Sequence, residues 1–139
     1  MNDSHLFKIC REASLESDYT GCAKTKIGAL VVYKNSILAK GANGDRTHRL
    51  QKKFNKFRYQ DDENRYLPSK VHAEIACLSK IKYLDIDFGK VHIYIYREFK
   101  NGKPALSRPC PACLAAIKEM GIKNIHYCTN EGYAHEKLI

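Results

Sequence analysis

The sequence predicts a three-layer α/β domain, a sheet with helices on both of its faces. Two observations carry this. Segments of strand-like and helical patterning alternate along the chain in the order αββαβαββ, and such alternation favours a central sheet sandwiched by helices. The turn signal Asn130-Glu131-Gly132 is followed only by Tyr133 to Ile139. A parallel last strand would need a crossover of about a dozen residues or more, so the last two strands are expected to pair as an antiparallel hairpin.

The elements follow in order. Asp3 to Asp18 reads as a helix: Leu6, Phe7, Cys10, Ala13 and Ser17 recur at helical spacing, with Asp3 or Ser4 as its cap. Ile27–Tyr33 and Ser36–Lys40 are short β-type runs joined by Lys34-Asn35, a hairpin turn. Gly41 and Gly44 then bracket a loop. Leu67-Pro68-Ser69 punctuates the chain before a helix over Val71–Ile81, in which Ile75, Leu78 and Ile81 share a face. Val91–Tyr96 is a strand with period-two alternation, whose Tyr94 and Tyr96 read as structural. Asn101 to Pro104 is a turn. A further helix starts near Pro111 and stops at Gly121. Ile125–Cys128 and Tyr133–Ile139 complete the strands.

The 139 residues are expected to form one domain, 1–139, and 44% of them are hydrophobic, enough for a core rather than disorder. No apolar run is long enough to cross a bilayer, so no membrane partner is expected. Met1 to His5 lack the basic start and apolar stretch of a signal peptide, which places the protein in the cytoplasm. The formal net charge of +9 favours an anionic partner such as a phosphate, a nucleotide or a nucleic acid. In that setting the even count of six cysteines does not argue for disulfides. Cys10, Cys77 and Cys128 lie in apolar stretches as small core residues, and Cys22 has no assigned role.

Two segments carry the chemistry, His72-Ala73-Glu74 and Pro109-Cys110-Pro111-Ala112-Cys113. Cys110 and Cys113, three apart at a helix start, can aim both sulfurs at one point, where free helix N–H groups favour thiolate. A structural zinc would want a fourth ligand, and the chain has no second CxxC or HxxxH pair. With His72 the set is three ligands and an open position, the catalytic pattern, in which a bound water ionises near neutral pH. At the first turn of a helix Glu74 can face the same cavity and pass protons without binding the metal. Alone, an HxE is weak, and a lone CxxC could be a redox pair or half of a structural zinc site. Together, in this order and each at a helix start, they match the H-x-E…P-C-x-x-C signature of zinc deaminases of nucleobases.

On these residues the chain resembles the cytidine deaminase-like superfamily, which includes cytidine, deoxycytidylate and tRNA adenosine deaminases and the polynucleotide cytosine deaminases. The resemblance extends over nearly the whole chain. Lys26 to Val32 is similar to the family's first strand, and Lys40-Gly41-Ala42-Asn43-Gly44 to the segment after its second. It implies a mixed five-stranded sheet with helices on both faces, zinc as the cofactor, and substrate contacts at Asn43 and Ala73. Many members carry Glu or Ser before the proline of the cysteine motif, where this chain has Arg108, after Ser107. Arg108 could meet a substrate phosphate or lie on the surface, and Ser107 and Arg108 join Asn43 and Ala73 as candidate substrate-binding residues. The C-terminal hairpin resembles the free-nucleoside branch and a toxin-like one. Small members often form dimers or tetramers, so a homo-oligomer is compatible with the resemblance.

From Arg46 to Tyr59 the chain interleaves Arg46, Arg49, Lys52, Lys53, Lys56 and Arg58 with Phe54, Phe57 and Tyr59. Following Asn43, this run would flank the site. Its charges could neutralise phosphates and its rings stack on bases. Equally, Leu50, Phe54 and Phe57 recur at helical spacing and could pack inward. An acidic patch, Asp61-Asp62-Glu63, comes next. His5, His48, His92, His126 and His135 lack a partner motif and read as surface or packing residues.

The function expected is hydrolytic deamination of cytosine to uracil in a cytidine or deoxycytidine nucleoside or nucleotide. Hydroxide from the zinc attacks C4 and Glu74 shuttles protons. A second reading is a cytosine or adenine deaminase of single-stranded DNA or RNA, an editing activity needing an unpaired base. A third, of another class, is a non-catalytic zinc module that binds nucleic acid. The carboxylate of Glu74 argues against it.

Overall fold

Val91, Ile93 and Ile95 of one strand face one way and Tyr94 and Tyr96 the other, and all five are buried. A strand covered on both sides belongs inside a three-layer arrangement. In the computed structural model, which describes residues 2–20, 25–57, 70–99 and 101–138, this strand is β3 (Val91–Arg97), the middle of five. The sheet order is β2-β1-β3-β4-β5. β1 (Ile27–Tyr33) runs antiparallel to β2 (Ser36–Ala42) and to β3. β4 (Asn124–Thr129) is parallel to β3, and β5 (Gly132–Lys137) returns antiparallel to β4. The sheet is mixed and five-stranded, and its last two strands form the expected hairpin.

Local chemistry explains the joints. Lys34 and Asn35 both take positive φ, 48° and 65°, the turn whose twist matches that of the strands it links. The first helix, α1 (Asp3–Ser14), is capped by Asn2, whose side chain accepts from His5 N, rather than by Asp3 or Ser4. It stops four residues short of the expected Asp18 because the next residues have other partners. The Ser17 hydroxyl reaches the Asn43 side chain and carbonyl, and Thr20 N donates to Asp45. α1 lies on the Tyr94 side of the sheet with Leu6, Phe7 and Cys10 buried against Leu30, Val32, Tyr94 and Tyr96. The approach is close at Gly28, where a Cβ would stand 2.2 Å from the Cys10 carbonyl oxygen and 2.7 Å from Ser14 N.

The opposite face is covered by α3 (Ala73–Ile81) and α4 (Pro111–Glu119), which bury Ile75, Leu78, Ile81, Ala116 and Ile117 against Ala29, Val31, Ile93 and Ile95. β2 runs on through Gly41 to Ala42, past the expected end at Lys40. A Cβ at Gly41 would come within 2.9 Å of the Ala73 carbonyl oxygen, so glycine keeps the strand regular beneath the first turn of α3. The basic run contains a short helix, α2 (Arg49–Phe54), and a 3-10 turn over Asn55–Phe57. There Phe54 is buried and Phe57 is 42% exposed, so the run is only partly an inward-packing face. Arg58, Tyr59, the acidic patch, Leu67 to Ser69 and Cys22 lie outside the described residues. Among the described residues no helix is long and apolar enough to cross a membrane.

Candidate metal centre and active site

Both motif segments end up at helix N-termini. His72 is the N-cap residue of α3 and Cys110 the N-cap residue of α4, each with extended backbone angles, and neither side chain caps its own helix. Pro111, with its φ already helical and no N–H to leave unpaired, starts α4, which brings Cys113 one turn on beneath Cys110. The two sulfurs converge on one ring nitrogen: Cys110 Sγ lies 3.5 Å and Cys113 Sγ 3.3 Å from His72 Nδ1. Nitrogen and sulfur bound tetrahedrally to one zinc ion stand about 3.6 Å apart, from bond lengths of about 2.0–2.1 and 2.3 Å. The donor set and its spacing therefore fit zinc, and these three residues are one of the clusters able to hold a metal.

The electrostatics agree with that fit. The Cys110 thiol is drawn down to about 4, first by its hydrogen bond with Cys113 and then by His72. Cys113 is pushed up, first by burial. A thiolate is thus favoured at Cys110, the form that binds a dication. Glu74 is only 4% exposed. Burial raises its pKa above the usual carboxylate value and the nearby Cys110 adds to this, while His72 opposes it. A carboxyl so placed holds its proton more readily than an exposed one, which suits a group that takes up and gives back a proton.

Sequence reasoning missed the support of this site. The backbone N–H of His72 donates to Gln51 Oε1 at 3.0 Å, and Gln51 Nε2 donates to Asn55 Oδ1 at 2.9 Å. Gln51 is fully buried, so a polar side chain from the basic run holds the entry to α3. Its one visible signal is its position on the α2 face shared with Phe54, unusual for a glutamine. Ser107 does similar work for α4. Its hydroxyl donates to the Ile95 carbonyl and accepts from Cys128 N, at 2.8 and 2.7 Å, tying the approach to α4 across β3 and β4.

The other expected site residues fall as follows. Ala73 is fully buried at the first turn of α3. Asn43 is buried with its side-chain amide engaged, accepting from Ile27 N and donating to the Thr25 carbonyl. The guanidinium of Arg108 makes two 3.0 Å bonds to the Glu136 carboxylate on β5. His48 caps α2 through Nδ1. Cys10, Cys77 and Cys128 are buried, free thiols, as expected for small core residues.

The fold is one shared with deaminases of known structure. Solved structures that resemble it include a dCMP deaminase from the cyanophage S-TIM5 in complex with dCMP and dUMP, and a cytidine deaminase from Burkholderia pseudomallei. The first is 24% identical, with a TM-score of 0.59, over 90% of this chain and 81% of that one. The second is 17% identical, with a TM-score of 0.67, over 99% of this chain and 93% of that one. A search of curated proteins gives no match. The family model described as the cytidine and deoxycytidylate deaminase zinc-binding region matches residues 1–129, and the chain belongs to that family.

Proposed function

We propose that the protein is a zinc-dependent deaminase converting cytosine to uracil in a cytidine or deoxycytidine nucleoside or nucleotide, acting as one domain. His72, Cys110 and Cys113 hold the metal and Glu74 moves the protons. The convergence of both sulfurs on His72 Nδ1 with a buried carboxyl alongside carries this reading. Bound zinc supplies a nucleophile at neutral pH by lowering the pKa of water to about 7. Glu74 takes the proton released as water adds to C4 of the base and delivers it to the ring nitrogen. It then takes the remaining proton from the C4 hydroxyl and passes it to the amine, so that the C4–N bond breaks, the C4–O bond becomes a carbonyl and ammonia leaves. The net charge of +9 and the dCMP and dUMP held by one structural relative support a nucleotide, while the antiparallel β4–β5 hairpin, which resembles that of the free-nucleoside branch, supports a nucleoside.

The test is mass-spectrometric detection of product from zinc-loaded protein given cytidine, deoxycytidine, their monophosphates, and single-stranded DNA and RNA containing C and A. Uridine or deoxyuridine compounds from the monomers are expected. Product from the polymers alone would replace this reading with nucleic-acid editing, the basic run serving as the strand groove. Glu74→Gln should keep its zinc and lose about 10²–10⁴-fold in turnover. Undiminished turnover would remove Glu74 from the proton path.

A further inference from the structure

A second cluster of possible ligands lies on the other face of the sheet, the α1 side. His92 on β3, His126 on β4 and His135 on β5 each offer a ring nitrogen, and these nitrogens all lie within 4.8 Å of one another. Strand register assembles them. His126 is paired directly across from His135, and Tyr94, two residues beyond His92, from His126. Three histidines on adjacent strands of one face therefore meet without any sequence motif.

We propose that His92, His126 and His135 form a second metal site, separate from the His72, Cys110 and Cys113 centre, for a borderline dication such as Ni²⁺ or Zn²⁺. Imidazole nitrogens suit these ions. His126 anchors the site. Its side chain is 5% exposed, and its Nε2 lies 2.8 Å from His92 Nδ1. Its other nitrogen, Nδ1, is buried without a hydrogen-bond partner among the described residues, 3.8 Å from Asp3 Oδ2. Asp3 is fixed in turn by the hydroxyl of Tyr94, which donates to its Oδ1 at 2.8 Å. A carboxylate facing Nδ1 selects the tautomer with its proton there. Nε2 is then left as the electron-pair donor, the arrangement that carboxylates give to metal-binding histidines.

His135 completes the set. Its ring stacks on that of His126, centroids 4.2 Å apart, and its Nε2 lies 3.0 Å from Asn124 Oδ1. It is exposed on an edge strand, and its ligand nitrogen lies within 4.8 Å of the other two. A cleft of about 350 Å³ lined in part by Lys34, Lys90, His92 and Tyr94 opens beside His92. Occupancy would clamp β5 and β4 to β3.

The measurement is metal stoichiometry and Ni²⁺ titration calorimetry on protein already carrying one zinc. Wild type should take up one further Ni²⁺ per chain. His135→Ala, an exposed edge position, should keep deamination and the first zinc while weakening the second event at least about tenfold. His92→Asn should do the same. Cys110→Ser should lose the first metal and keep the second. No second equivalent in wild type, or a second equivalent indifferent to both histidine variants, overturns the proposal.

Discussion

Ser107 shows how a single hydroxyl can serve a site it does not enter. It is buried and bonds to β3 and β4 at once. Removing one partner of a buried pair leaves the other unsatisfied, at a cost of about 1–3 kcal/mol per group. Ser107→Ala should therefore lower unfolding stability by about 2 kcal/mol in a urea titration. Its effect on turnover should come through the placement of α4. The Arg108–Glu136 pair contrasts with it, since both side chains are over 30% exposed and such pairs contribute about 0–1 kcal/mol. Glu136→Ala should change the urea midpoint little.

At this scale the sequence was uneven. His72, Glu74, Cys110 and Cys113 were legible because the chemistry constrains short spacings within one segment. Gln51 was not, because its partner at His72 lies 21 residues away and nothing local marks it. His92, His126 and His135 each looked solitary for the same reason, since only strand register joins them.

Elements were more legible than their ends. Periodicity identified α1, α3, α4 and all five strands, but α1 ends four residues early and β2 runs two residues further. In both places a tertiary contact decides: Asn43 and Asp45 draw away the residues after α1, and Gly41 admits α3 against the strand. Gly28 does the corresponding work under α1. Gly28→Ala would push a methyl group into the backbone at Cys10 and Ser14, which no side-chain rotation can relieve. It should destabilise by about 3 kcal/mol or more, and near-ultraviolet circular dichroism should report loosened packing around Tyr94 and Tyr96. The Glu74 site, on the far face, should be perturbed less than the packing of α1.

For the whole molecule, the question is how far zinc holds the fold together. α3 and α4 bury Ile75, Leu78, Ile81 and Ile117 fully, so the core remains when the metal leaves. Chelation should leave the far-ultraviolet spectrum near native and lower the melting temperature by about 5–10 °C, reversed by zinc. Collapse of the spectrum would mean that the metal, not the core, seats the two helices.

His72 and Cys110 stand at the heads of helices that flank β3 in sequence. When His72 leaves the ribosome, Cys110 and Cys113 have yet to be made. In the folded chain they are brought together by two helices packed on one face of the sheet, with β3 between them in sequence. Metal capture is therefore expected to come late, as the closing event of maturation rather than its seed. A pulse of zinc during refolding should be retained only by chains whose sheet has already formed, which makes metal content a stamp of completed assembly.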